Sequence, residues 1–299
     1  MHPKNNIESY LKLHFIIFIW GFTAVLGALI SLDALPLVWF RLALALPFLF
    51  IWIKIRKKSL RVGPKNLLRF AFGGLIIALH WVGFFMAIKI ANVSVALVTL
   101  STGALFTSLL EPLFFKRKVI PVEVLLGLLI VGGLYLIFRV DNLYLYGMLW
   151  ALFAAFLSAL FSVINGVFVL KHNGFVLSFY QLGFGLVALT IFLFIHGDFS
   201  HAFFNLSGND WIYLLILSSI CTAYAFSVSI DLMKKLSPYT VMLSINMEPV
   251  YGIILALIIF GDKEKMSANF YLGATLILGI VLVNSLMKIG YFKRKKTNI

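Results

Sequence analysis

The chain has 299 residues, of which 62% are apolar and only 12% charged, with a mean hydropathy of +1.03. Soluble globular chains are roughly 25% charged, so this composition excludes an ordinary soluble domain and makes lipid the main solvent. The formal net charge of +14 does not mark a nucleic-acid partner, because the basic residues fall in short clusters between apolar runs, the pattern of membrane topology.

A helix that crosses about 30 Å of hydrocarbon needs about 20 mostly apolar residues. Ten such runs occur in order, near 11–30, 36–53, 68–88, 93–115, 121–138, 147–170, 176–195, 211–233, 238–260 and 268–287. Continuous apolarity at this length specifies helices, since a membrane barrel would show short alternating segments. The first run is longer than a usual signal h-region and reads as a retained helix. Cys221, the single cysteine, lies inside an apolar run, which rules out an intrachain disulfide.

Ten spans return both termini to the same side. That side then carries 20 of the Lys and Arg residues, the opposite side carries four, and Arg41 lies within a span. By the positive-inside rule both termini are cytoplasmic, in a multi-pass protein of the cell inner membrane. Trp39, Trp150 and Trp211 fall near outer ends and Trp52 near an inner end, as interfacial anchors do.

Taken in chain order, the spans carry several groups that lipid does not favour. Trp20 in the first span does not fit the interfacial belt and is a candidate to stack on a planar substrate, with core packing as the alternative. Arg41 in the second is near the outer end and is expected to snorkel to water. The third span places His80 near mid-depth, with Trp81 beside it and Phe84 one turn on; an imidazole there suits proton coupling or a hydrogen bond to substrate. Thr99, Ser101 and Thr102 in the fourth span either line a cavity or knit helices together. Tyr224 in the eighth span is a further cavity candidate. Asp231, which precedes Lys234 and Lys235, reads as structural.

In the ninth span Glu248 lies near the midplane. Pro249 beside it cannot donate a backbone hydrogen bond, which frees the carbonyl near Ile245 and favours a kink. A carboxylate at a broken turn can take a proton or receive a substrate ammonium group; the alternative is a neutral side chain bonded to a neighbouring helix. Ser244 shares its face, and Asn246 stands on another face of the same turn. The basic tail Lys293–Lys296 reads as an anchor to anionic lipid.

Sliding the chain over itself by 146 residues pairs Lys89 with Lys235, Gly127 with Gly273 and Gly133 with Gly279, and sets Thr102 against Glu248. Five helices is an odd number, so a second copy starts from the opposite side. Inverted repeats of this kind let a bundle expose a central site alternately to each face. The four paired glycines are expected to permit close helix packing.

Trp20-Gly21, Phe40-Arg41, Glu248-Pro249-Val250, Phe260-Gly261-Asp262 and the glycines of the last span together resemble the EamA branch of the drug/metabolite transporter superfamily. The resemblance covers essentially the whole chain. Gly103 stands where that family frequently has proline, so a proline distortion is expected in the ninth span and not in the fourth. The resemblance implies two EamA-like five-helix repeats, residues 1–140 and 141–299, and transport of small metabolites through a central cavity.

The expectation is therefore an all-α integral membrane protein acting as a secondary transporter, in the export direction, for small organic metabolites such as amino acids. A nucleoside, nucleotide-sugar or drug carrier is the runner-up. Phosphorylated substrates fit less well, because few mid-depth basic residues exist to neutralise a phosphate. A membrane-embedded lipid-modifying enzyme would need facing catalytic groups, and His80 and Glu248 stand on different spans. A channel would differ in showing no saturation or counterflow. No Walker-type phosphate loop, metal-spaced cluster or Gly-x-Ser-x-Gly elbow occurs, so no cofactor, metal or catalytic set is expected. The partners expected are the metabolite and the bilayer, with no nucleic acid, and the assembly is left open between monomer and homodimer.

Overall fold

In a computed structural model the protein is described at residues 3–116, 118–140, 144–280 and 283, and no strand occurs among them. The helices are α1 (Pro3–Leu29), α2 (Ala34–Ile55), α3 (Pro64–Ile90), α4 (Val93–Leu100), α5 (Gly103–Phe115), α6 (Pro121–Val140), α7 (Leu145–Phe168), α8 (Gly174–His196), α9 (His201–Phe204), α10 (Gly208–Ile216), a π-helical segment Leu217–Tyr224, α11 (Ala225–Leu232), α12 (Pro238–Ile245), α13 (Glu248–Phe260) and α14 (Ala268–Ile280). Counted across internal breaks, eight helices among the described residues are long and apolar enough to cross a bilayer. The fifth expected span coincides with the 20-residue α6, and the described part of the tenth is the shorter α14. The chain is thus an all-helical, multi-pass membrane protein. The basic tail at Lys293–Lys296 lies outside the described residues.

Local chemistry accounts for the boundaries. Pro64, Pro121 and Pro238 each open a helix, where the missing N–H costs nothing. Ser207 and Asp210 form a capping box at the start of α10. Asp210 also accepts from the backbone N–H and the hydroxyl of Ser31, both at 2.7 Å, and so ties the α1–α2 turn to α10. Beside it Trp39 and Phe40 pack against Phe199, Phe203 and Phe204 around α9, closing this end of the bundle.

Lipid tails are as apolar as leucine, so helix association rests on close packing of small residues. At the α3–α8 crossing a Cβ on Gly74 would sit 2.3 Å from the Gln181 carbonyl oxygen, so only glycine allows this approach. Of the glycines expected to serve packing, Gly127 and Gly133 do face neighbouring side chains. Gly279 faces open space, which corrects that expectation for this residue.

The fourth and ninth spans are both broken midway. In the ninth the break comes at Asn246 and Met247, immediately before Glu248-Pro249, as the proline requires. The fourth breaks as well, at Ser101 and Thr102, and as expected without a proline. Here the Ser101 and Thr102 hydroxyls bond back to the carbonyls of Leu97 and Thr99, and glycine follows, so hydroxyls compete with the backbone ladder. The two halves of one span begin at 93 and 103 and those of the other at 238 and 248, an offset of 145 rather than 146.

Each broken span is capped by a carboxylate that comes from the other. Glu264, just past α13, accepts from the backbone N–H groups of Val93 and Ser94 at 3.0 and 3.1 Å and from the Ser94 hydroxyl at 2.9 Å, at the start of α4. Glu111 in α5 accepts from the Tyr239 N–H at 2.8 Å, at the start of α12. Both glutamates are buried. Each carboxylate satisfies donors that a helix N-terminus leaves unpaired and complements its dipole.

Candidate functional site

Midway along the helices, α1, α2, α3, α4, α7, α11, α12 and α13 surround a cavity of about 80 Å³. One water needs about 10–15 Å³ on this measure, so the space holds several waters or a small solute. Its wall is mostly aromatic and aliphatic, with Trp20, Trp81, Phe84, Phe161 and Phe226, and it is interrupted by Arg41, His80, Glu248, Thr23 and three serines, Ser158, Ser162 and Ser229.

The π-helical segment sets two of these groups. Its i→i+5 pattern widens the turn, and the Thr222 hydroxyl donates back to the Leu217 carbonyl at 2.7 Å. The same hydroxyl oxygen accepts from Arg41 Nε at 2.7 Å. One residue earlier, the Cys221 carbonyl accepts from the Trp20 indole N–H at 3.0 Å. A single distorted segment thereby holds side chains from α1 and α2 against the cavity.

Arg41 is 2% exposed and does not snorkel, which corrects the expectation drawn from its position. Its guanidinium carbon lies 3.7 Å from the centre of the Trp81 ring, a desolvated cation–π contact worth about 2 kcal/mol. Its Nη1 has no hydrogen-bond partner among the described residues. No carboxylate among them pairs with it either.

His80 Nδ1 lies 2.8 Å from the Ala154 carbonyl oxygen, so this nitrogen carries the proton and donates. In the neutral ring Nε2 is left as the acceptor. Its ring stacks near-parallel on Phe84 at 6.4 Å between centres. Glu248 is the first residue of α13, where the positive end of the helix dipole favours its carboxylate. The site thus gathers one guanidinium, one carboxyl group, one imidazole and four hydroxyls, from Thr23 and three serines, inside an apolar wall. No cluster of His, Cys, Asp and Glu able to hold a metal occurs among the described residues.

Two stretches, 10–139 and 145–286, match the profile of the EamA-like transporter family. The chain belongs to that family. It is 23% identical over 305 aligned positions to the "Uncharacterized transporter YxxF" of Bacillus subtilis (strain 168), spanning 99% of this chain and 94% of that protein. It is also 23% identical over 267 positions to an "Uncharacterized transporter" of Archaeoglobus fulgidus, spanning 86% of this chain and 91% of that protein. A solved structure titled "Crystal structure of protein" superposes with a TM-score of 0.68 at 19% identity, covering 94% of this chain and 97% of that one; the likeness is one of fold. With the family and these relatives, the chain is a membrane transporter.

Of the residues singled out from its sequence, this EamA-like chain brings Trp20, His80, Trp81, Phe84 and Glu248 to the one cavity. Thr99, Ser101, Thr102, Ser244 and Asn246 do not line it. Ser101, Thr102 and Ser244 bond to carbonyls of their own helices, and Thr99 is buried in α4. Asn246 is buried at the ninth-span break with its amide nitrogen unpartnered. Tyr224 is 43% exposed on the outside of the bundle. Sequence reasoning missed the cavity role of Arg41, whose signal was a charge several residues inside a span, and that of Thr23, Ser158, Ser162 and Ser229.

Proposed function

We propose that this chain is a secondary transporter that exports small organic metabolites such as amino acids by exposing its cavity alternately to the two faces of the cell membrane. In this reading ten transmembrane helices form two inverted repeats, residues 1–140 and 141–299. The observation that carries it is the cavity itself. Arg41, His80 and Glu248 meet there inside apolar helices, where each ionisable group costs about 2.5–3.5 kcal/mol or more unless it serves a pathway or a partner.

Two further features support it. The family profile matches twice, once in each half, and the two broken spans recur at a constant offset. Broken helices bring half-helix N-termini, with their positive dipole ends, into the middle of a transporter. Glu248 at the start of α13 is suited to carry a coupled proton or to meet an ammonium group. His80 offers Nε2 as a hydrogen-bond acceptor. The aromatic wall favours a substrate with a flat or apolar portion.

The test is counterflow in proteoliposomes preloaded with a panel of amino acids. Saturable exchange that accelerates with an imposed pH gradient is expected, and Glu248→Gln should abolish the response to the gradient while His80→Ala lowers exchange. Flux that rises linearly with concentration and shows no counterflow would replace the carrier by a channel.

A further inference from the structure

Arg41 is the largest fully buried side chain among the described residues, and it is a cation. An arginine inside a membrane ordinarily reaches the interface along its stem or pairs with a carboxylate. This one does neither among the described residues. Glu248 lines the same cavity and stands farther off than an ion pair allows.

The contacts that hold Arg41 leave part of its hydrogen-bonding fork free. Thr222 takes Nε, Trp81 covers one face of the guanidinium, and Nη1 keeps no partner. Guanidinium presents five donors in a fixed plane that matches a carboxylate with two parallel bonds. The π-helical segment places Thr222 to fix that plane, so the fork is oriented before any ligand arrives. Leaving such a donor unmet in a dry interior is costly, and an anionic ligand would meet it.

We propose that Arg41 is the anion-binding residue of the cavity and takes a single carboxylate group of the transported molecule. The proposal rests on the transporter reading above and deepens it. The residues lining the cavity include one guanidinium and no lysine, so the site offers a single fork, enough for one carboxylate and too few cations for a doubly charged phosphate. Trp20, held at its indole nitrogen by the segment that also holds Arg41, walls the same space for the remainder of the ligand.

The experiment compares three probes that share a side chain: L-phenylalanine, its amide and 2-phenylethylamine. Exchange of each is measured in proteoliposomes of wild type, Arg41→Gln, Arg41→Lys and Thr222→Val, with thermal unfolding in detergent as the check on folding. Wild type should prefer the acid over the amide and the amine by about ten- to a hundredfold in half-saturation, the range of one or two charge-assisted hydrogen bonds. Arg41→Gln should erase that preference, and Arg41→Lys should keep part of it, since lysine retains the charge and loses the fork. Thr222→Val keeps the cation and frees its orientation, so it should shrink the preference for the acid over the amide; it carries the test if the arginine variants fail to fold. Equal exchange of acid and amide by wild type, or an acid preference that survives Arg41→Gln, overturns the assignment and leaves the carrier standing. Failure of wild type to exchange all three overturns the assignment together with the amino-acid reading.

Discussion

Arg41 shows how a residue's role depends on neighbours distant in sequence. Counting along its span puts it near the outer end, from where a long side chain reaches water. In the folded protein the α9 aromatics and the Trp39–Phe40 pair close that end, and Thr222, 181 positions away, holds Nε. His80 and Glu248 were legible because depth along a single span is a one-dimensional count. Tyr224 was not, because the π-helical segment advances the chain by an extra residue per turn and shifts the facing of its later residues, which turns this ring outward. Trp81 is the residue on which the Arg41 contact can be measured. Trp81→Phe should keep a weaker ring face and cost on the order of 1 kcal/mol, whereas Trp81→Ala should cost about 3–5 kcal/mol through the lost contact and the cavity it leaves. Thermal unfolding in detergent gives both values. Losses that scale only with the volume removed, with no extra cost for losing the indole face, would mean that Trp81 only fills space and that the ring face does not stabilise the guanidinium.

The broken spans are the elements that join the two halves of the bundle. Proline announced one break, and nothing as plain announced the other, since serine, threonine and glycine are common in membrane helices and their effect depends on which carbonyl each hydroxyl reaches. The reciprocal carboxylate caps were likewise hidden, because each joins residues more than a hundred positions apart. Glu264→Gln keeps one acceptor oxygen of the two that receive three donors at the start of α4. The expected loss is about 1–3 kcal/mol, the cost of leaving buried N–H groups unmet, and is read as a lower unfolding midpoint. An unchanged midpoint would mean that water replaces the carboxylate and that this end of the bundle is wet. Helix crossings offer a matched pair. Gly74→Ala drives a methyl group to 2.3 Å from a backbone oxygen, while Gly279→Ala enters open space. The first should destabilise by about 1–3 kcal/mol or more, and the second should be neutral or stabilise by up to about 1 kcal/mol.

For the molecule as a whole, the all-helical membrane fold was plain in apolar run length, because lipid leaves the backbone few other ways to satisfy its hydrogen bonds. The internal repeat was less plain, since leucine-rich helices align with each other at many offsets: the residue pairing in the sequence runs at 146, and the starts of the two broken spans stand 145 apart. Sidedness is an expectation from charge: with ten spans, 20 basic residues would fall on one side and four on the other. The lone cysteine makes this testable. Cys221 is buried, so the unmodified chain should resist a membrane-impermeant maleimide, and Cys221→Ala supplies a background without thiols. Ser59 and Asp198 are both exposed and lie in loops at the two ends of the bundle, separated from the N-terminus by two and seven expected spans. With the termini cytoplasmic, Asp198→Cys should label in intact cells and Ser59→Cys only after permeabilisation. The reverse pattern would invert the bundle and place the α9 aromatic closure and the Asp210–Ser31 tie on the cytoplasmic face. Labelling of both in intact cells would mean an even number of crossings between residues 59 and 198, which is incompatible with five-helix repeats in which the second copy starts from the opposite side.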